Sequence, residues 1–336
     1  AAAARRLGKD QSWVDALLRG PATECIDARD NQYRDGAATD VAIALLKELK
    51  NKSPFFLAIG YIKPHLPHTA PKKYWDLYDR DRLPMAENDF LPQDAPLWAV
   101  NTHWELACYE DFVGVLKPTE GGLTEDEGRL LKHGYYACVS YIDAQIGRLL
   151  DACQTSGLMD NPIVVVVGDH GYKLGEHKGW GKQTNYEVDT RSPLIISAPG
   201  FDSSGKSCRA LVEYMDVYPT LCELAGLEPP HQLEGTSMVP LLRDPATPWK
   251  YAAFSQYQRG FMGRFMGRAI RTDRYRYVEW RDWFDNRLID AELYDHQTDP
   301  QENINLARRS ESQDLLQQLS RQLWQGWWAA RPPVKR

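Results

Sequence analysis

The 336-residue sequence predicts a layered α/β sandwich with a mostly parallel central sheet, followed by a small C-terminal antiparallel sheet with a closing helix. Three observations predict it. Helical and strand patterns alternate twice in the first half, which favours a right-handed layered sheet. The run "NPIVVVVGDHG" is continuously apolar, as strands buried on both faces of a parallel sheet are. Beyond Pro248 the texture changes to period-two alternation, as in "GRAIRTDRYRYVEW", which reads as antiparallel strands. The domain division expected from this change is 1–247 for the α/β part and 248–336 for the rest.

The elements follow in order. "TDVAIALLKELKNKS" predicts a helix capped by Asp40, with Val41, Leu45, Leu46 and Leu49 on one face. "PFFLAIGY" predicts a buried strand from Phe55 to Gly60, and "IKPHLPH" the polar loop that follows it. Residues 71–125 hold many Pro, Asp and Trp with little periodicity, more loop than a compact domain usually carries, and read as a functional excursion. From Arg129, Leu131, Tyr135, Val139, Ile142, Ile146 and Leu149 recur at helical spacing down to Gly157, placed as a helix C-cap. "SPLIISAPG" predicts another strand, and "YMDVYPTLCELAGLEPP" a helix ending at Gly226. In the tail, Leu315, Leu319 and Leu323 mark the closing helix, while Ala269, Arg271, Asp273, Tyr275 and Tyr277 share one side of the antiparallel segment.

Composition excludes several classes. A net charge of −6 argues against a general nucleic-acid binder, which needs a basic face. No apolar run approaches the ~20 residues of a membrane helix. Eleven Trp and seventeen Tyr suit a carbohydrate site and suit a large core equally. The six cysteines show no CxxC pairing; Cys138, Cys153 and Cys222 fit helix cores, and Cys25 and Cys208 lie in loop-like sequence open to disulfides. The opening "AAAARRLGKD" has no initiator Met and no signal-peptide pattern, and reads as the start of a fragment or processed chain.

In α/β sheets ligands gather beyond the carboxyl ends of strands. His65 and the pair Asp169 and His170 lie just past predicted strand ends, so they are expected to converge. An Asp beside a His offers an oxygen and a nitrogen ligand to a divalent cation. The ordinary meaning of such a pair is a helix cap and a packed imidazole. The strand end, the following Gly171, and the cluster of Glu176, His177 and Lys182 favour a metal site instead. Lys182, a cation for an anionic group, and His65, a proton donor, add the equipment for cleaving a sulfate or phosphate ester. His68, Lys63, Lys173, Glu176, His177 and Lys178 read as solvated loop residues.

The segments "PFFLAIGYIKPHLPH", "YYACVSYIDAQIGRLLDA", "VGDHGYKLGEHKGWGKQTNYEVDTRSPLIISAPG", "DVYPTLCELAGL", "EGTSMVPLL" and "ELYDHQTDPQENINLA" occur in an order similar to that of the sulfatase family, within the alkaline-phosphatase-like superfamily. His170, where many arylsulfatases have Asn, resembles the iduronate-2-sulfatase branch. The resemblance implies hydrolysis of sulfate esters of sulfated carbohydrates, with a calcium ion receiving the sulfate and a formylglycine hydrate as nucleophile. It implies Asp169 and His170 as calcium ligands, Lys182 as the sulfate-contacting lysine and His65 as the histidine of the KPH loop. It also implies a periplasmic, extracellular or lysosomal setting. Specificity would rest on the 71–125 region and on arginines near Arg264, Arg268 and Arg271.

One departure stands out. No cysteine or serine here has Pro two residues and Arg four residues after it, so the CxPxR or SxPxR nucleophile motif does not occur in this chain. The paired N-terminal aspartates of the family's calcium site are also missing. The expectation is an N-terminally incomplete sulfatase, inactive alone, whose front portion could be a separate partner chain. Two alternatives stay open: a zinc phosphodiesterase or phosphatase of the same superfamily, using His231 or His296 as a further ligand, and a non-catalytic glycan-binding module.

Overall fold

In the computed structural model, which describes residues 19–332 other than 53, 159–161, 202–204 and 261–262, the chain divides into two units that alternate along the sequence. The first takes residues up to 89, 102–162 and 174–181, and the second takes 90–101, 163–173 and 182 onward. The opening "AAAARRLGKD" lies outside the described residues.

The first unit holds strand β1 (Thr23–Ile26), helix α1 (Arg34–Leu49), strand β2 (His68–Pro71) and helix α2 (Glu125–Thr155). β1 and β2 pair in parallel, from Thr23 opposite His68 to Ile26 opposite Pro71. The predicted strand at 55–60 does not form: those residues have no regular structure, and Phe56 is 80% exposed. Apolar content marks a segment suited to burial, but a strand exists only where a neighbour's N–H and C=O groups line up with it. In this unit β1 lines up with 68–71, sequence read as loop.

α1 starts at Arg34, ahead of the predicted cap, and Asp40 lies inside it, where its carboxylate accepts from Asn31 at 2.9 Å and pairs with Arg148. Its buried stripe is Asp35, Thr39, Ala42 and Leu46, and Val41 and Leu45 face outward. Close approach sets that rotation. A Cβ on Gly36 would come within 2.1 Å of the Asp30 carbonyl oxygen, and Gly36 N donates to the Tyr141 hydroxyl of α2 at 2.5 Å.

α2 opens on a capping box: Glu127 N donates to Thr124 Oγ1 and Thr124 N to Glu127 Oε2. It closes ahead of Gly157, whose φ of +68° fits the predicted C-cap. The buried side runs through Leu131, Gly134, Cys138, Tyr141 and Gln145, and Val139 is exposed. At Gly134 helix and strand touch, since a Cβ there would lie 2.8 Å from His68 Cβ. Between β2 and α2 the chain makes short helical turns within the segment read as loop.

The second unit holds β3 (Val164–Val167), β4 (Leu194–Ser197), helix α3 (Val217–Leu224), β5 (Ala252–Arg259), β6 (Phe265–Thr272), β7 (Tyr275–Asp282), β8 (Leu288–Asp295) and helix α4 (Gln313–Ala329). β3 pairs antiparallel with β4, from Val164 opposite Ser197 to Val167 opposite Leu194. This corrects the expected doubly buried parallel strand: Val167 is 47% and Ile195 61% exposed. Among the described residues the named strands pair in parallel only at β1 and β2, so they form no continuous parallel sheet. Hydrophobicity does not encode strand direction; that depends on which segment lies alongside.

The C-terminal sheet agrees with its alternating pattern. Its order is β8-β7-β6-β5, antiparallel throughout, with Asp273 in the turn between β6 and β7 rather than on a strand. α4 lays Leu319 and Leu323 against Ile270, Tyr277 and Leu293, each buried leucine contributing roughly 1.5–3 kcal/mol. The α/β class with a terminal antiparallel sheet therefore holds. All six cysteines are free thiols, Cys25 and Cys208 included. No helix among the described residues is long and apolar enough to cross a membrane.

Candidate functional site

Two loops carry the residues singled out by the sequence, one in each unit. In the first, residues 62–67 hang from α1: the Asp35 carboxylate accepts from Ile62 N at 3.1 Å and Lys63 N at 2.9 Å. Lys63 folds back into the loop, donating to the carbonyls of His65 at 3.1 Å and Pro67 at 2.6 Å. Burial lowers its pKa. Lys63 is therefore a brace for the loop and not the solvated residue expected.

His65 is held at both ring nitrogens. Nδ1 lies 2.7 Å from the Leu66 carbonyl oxygen and Nε2 lies 3.1 Å from Glu105 Oε1. About a third of the side chain stays exposed, so the ring is oriented yet reachable. His68 is fully buried, with Nδ1 3.1 Å from the Pro64 carbonyl, and burial lowers its pKa to about 3. It is a neutral core group.

The second loop leaves β3 at Gly168, whose N–H donates to the Pro193 carbonyl at 2.9 Å while its own carbonyl accepts from Ser192 Oγ at 2.8 Å. Asp169 then projects outward with 93% of its side chain exposed. His170 turns Nδ1 to the Gly171 carbonyl at 2.7 Å, and its Nε2 lies 3.7 Å from Asp169 Oδ1. A carbonyl acceptor makes Nδ1 the protonated nitrogen and leaves the Nε2 lone pair on the side of the carboxylate. Gly171 is needed for close approach: a Cβ would sit 1.9 Å from the Val188 carbonyl oxygen.

Behind this loop lies a buried ion pair that the sequence reading missed. Lys173 Nζ is 2.6 Å from Asp189 Oδ2 and 2.7 Å from Thr184 Oγ1, and both charged side chains are at most 2% exposed. Asp189 also ties down the loop through its backbone, its carbonyl accepting from Gly171 N at 2.8 Å. Lys173 was expected in solvent. A lysine spaced between aromatic and apolar residues gives no sign of a partner sixteen positions on.

Lys182 is positioned through its backbone. Its carbonyl accepts from Asn101 Nδ2, and the next carbonyl, that of Gln183, accepts from Arg259, whose Nε also donates to Trp98 O at 2.8 Å. Gln183 has a φ of +79°, a strained value for a residue with a side chain. Asn101 and Arg259 carry no motif, and only tertiary contact shows their part. In the first unit His177 is buried, contrary to its reading as a solvated residue.

The arginines considered for specificity are engaged within the second unit. Arg264 pairs with Asp282 at 2.9 Å, Arg271 with Glu187 at 2.9 Å, and Arg268 lies 5.1 Å over the Trp324 ring. His296, the alternative zinc ligand, lies 2.8 Å from Glu302 Oε1. Glu187, His296 and Glu302 are the one grouping of three close metal-type donors among the described residues. Arg276 is already there, with Nε 2.6 Å from Glu302 and a second contact to Glu187. Burial alone would raise the Glu302 pKa, but the Arg276 charge and His296 hold it down to about 2. The cluster is a closed ion network, not a cation site.

The model of the family described as Sulfatase matches residues 8–227, and one described as N-sulphoglucosamine sulphohydrolase, C-terminal, matches residues 175–327. Human iduronate 2-sulfatase is 31% identical over 88% of the chain, and that match covers 66% of the human protein. The chain thus spans slightly under two thirds of that relative's length. A phosphonate monoester hydrolase from Silicibacter pomeroyi superposes with a TM-score of 0.74 at 25% identity, covering 98% of this chain and 68% of that one. A structure in complex with its substrate D-glucosamine-2-N,6-O-disulfate superposes with a TM-score of 0.71 at 20% identity, covering 89% and 72%, and shares the fold.

Proposed function

Because the chain belongs to the sulfatase family, we propose that it serves a sulfuric ester hydrolase acting on sulfated carbohydrates such as glycosaminoglycans, of the iduronate-2-sulfatase type. The observation that carries the reading is the exit of β3, where an exposed Asp169 carboxylate stands 3.7 Å from an imidazole nitrogen whose ring is fixed by the Gly171 carbonyl. That donor set fits one divalent cation, and Asp169 and His170 would hold calcium there. Bound calcium would supply positive charge to a sulfate oxygen.

The remaining roles fall to side chains of this chain. Lys182 would lie against the ester, offsetting negative charge on the sulfate and the leaving oxygen. His65, its Nδ1 fixed by the Leu66 carbonyl, would give the Nε2 proton that now faces Glu105 to that oxygen as the S–O bond breaks. The nucleophile implied by the family resemblance, a formylglycine from CxPxR or SxPxR, is not a residue of this chain. Turnover is therefore tested on a protein that joins such a segment to this chain.

The deciding experiment offers that protein a 2-O-sulfated uronate disaccharide and, separately, an aryl phosphonate monoester. Release of sulfate in a calcium-dependent reaction is the expected result. The likeness to a phosphonate monoester hydrolase makes the second substrate a fair competitor, and turnover of it alone would overturn the sulfatase reading.

A further inference from the structure

The loop that leaves β3 passes out of the second unit after Lys173 and returns to it at Lys182, since residues 174–181 belong to the first. Asp169 and His170 stand before the exit, and Lys182 marks the return. Both ends meet one residue, Asp189. Its main-chain carbonyl accepts from Gly171 N at 2.8 Å. Its Oδ2 accepts from Thr184 N at 2.9 Å and Lys173 Nζ at 2.6 Å, with Thr184 Oγ1 as a further donor. Gly171 directly follows His170, and Thr184 stands two residues after Lys182. The other carboxylate oxygen, Oδ1, is buried with no hydrogen bond among the described residues, so every side-chain bond of Asp189 converges on Oδ2.

Asp189 is itself held from behind. It lies in the helical turn Glu187–Thr190, which the ion network of the C-terminal sheet ties down. Glu187 pairs with Arg271 of β6 at 2.9 Å and with Arg276 of β7. Glu187 N donates to Glu302 Oε2 at 2.7 Å, and Thr190 Oγ1 accepts from Arg276 at 3.2 Å. A line of buried charge thus runs from the sheet through this turn to both ends of the loop. Burying two charges offsets most of their attraction, so the Lys173 and Asp189 pair contributes little net stability. Its effect is geometric: the ammonium keeps the carboxylate facing Thr184, and with it the backbone that carries Lys182.

A cation at Asp169 and His170 and the Lys182 ammonium would have to meet the same sulfate, so their spacing has to match the width of one anion. Misplacement by about 1 Å can cost ~10²-fold in rate. We infer that Asp189, braced by Lys173, is a positioning residue for sulfuryl transfer, fixing the Asp169 and His170 pair relative to Lys182. The inference rests on the proposed function and deepens it.

The test is steady-state hydrolysis of an aryl sulfate by the protein that joins the nucleophile segment to this chain, with thermal unfolding alongside. Two double variants, Lys173→Met with Asp189→Leu and Lys173→Met with Asp189→Asn, each remove both buried charges together and should melt near wild type. Asn keeps an acceptor for Thr184 N, and Leu does not. The Leu double should lose ~10–100-fold in kcat, the usual cost of losing an outer-sphere partner, with KM unchanged, and the Asn double should recover most of that loss. Thr184→Val, close in shape, removes the hydroxyl shared by Lys173 and Asp189 and should lower kcat severalfold; it decides alone if the Leu double does not fold. Equal kcat in the two doubles, or wild-type kcat in Thr184→Val, would overturn the inference while a sulfate-releasing wild type leaves the sulfatase reading standing. No sulfate release by the wild-type protein would sink that reading and the inference with it.

Discussion

Glu105 places a carboxylate oxygen 3.1 Å from Nε2 of His65, across forty residues of sequence in which neither position announces the other. With Nδ1 against the Leu66 carbonyl at 2.7 Å, the imidazole has one orientation. Glu105 acts on the reaction through His65, as a positioning residue. In the protein carrying the nucleophile segment, Glu105→Gln should lower kcat by about tenfold, part of the ~10²–10⁴ a positioned proton donor contributes. KM should stay the same, and Glu105→Asp should restore part of the loss; a rise in KM alone would remove Glu105 from this role.

Lys182→Ala should lower kcat/KM by ~10²–10³, the usual cost of removing one preorganised charged donor. Steady-state kinetics on the same protein checks this. Unchanged turnover would return Lys182 to the surface, leaving the hold of Asn101 and Arg259 on the backbone as purely structural.

Asp169→Asn keeps the shape of the β3 exit and removes its charge. Calcium titration of the variant should show at least a tenfold weaker Kd, because Ca²⁺ prefers anionic oxygen donors. Full retention of affinity would take Asp169 off the ligand set.

Gly171→Ala should destabilise the second unit by about 3 kcal/mol, since the added methyl meets the Val188 carbonyl at 1.9 Å and backbone has to move. Thermal unfolding reads the loss. Calcium affinity should fall with it, because the same shift displaces His170.

Glu292 makes stability depend on pH. Burial pushes its pKa up to about 7, against hydrogen bonds from Tyr294 and Trp280 at 2.7 Å each. Between pH 4.5, its ordinary value, and about 7 the folded chain keeps a proton that the unfolded chain has released. The contribution is full below that window, declines as pH rises through it and is absent above. Denaturant titrations should show wild type losing stability relative to Glu292→Gln from pH 4.5 to 7; parallel curves would show a carboxyl charged throughout.

Legibility differed between local and long-range features. α2 was readable from Arg129 onward because its helical spacing from Leu131 to Leu149 and its stop at Gly157 are short-range, while the Thr124 and Glu127 capping box that opens it was not read. The antiparallel pairing of β6 and β7 was readable because alternation is short-range, while the turn at Asp273 that divides them was not. "PFFLAIGY" and "IVVVV" misled in one way: their hydrophobicity is real, while pairing and direction belong to distant neighbours. Lys63 and Lys173 look in sequence like solvated lysines, and each is enclosed by carbonyls or a carboxylate that folding brings to it.

By itself the sequence determined the α/β class, the antiparallel C-terminal sheet, the family and the residues at the exit of β3. Tertiary structure decided the parallel pairing of β1 with β2, the Glu105 contact to His65, the buried Lys173 and Asp189 pair, and the neutralised Arg276 cluster. Caps, turns and periodicities are interactions between near neighbours, so they are written in adjacent letters. Ion pairs and ladders join groups brought together only when the chain has closed on itself.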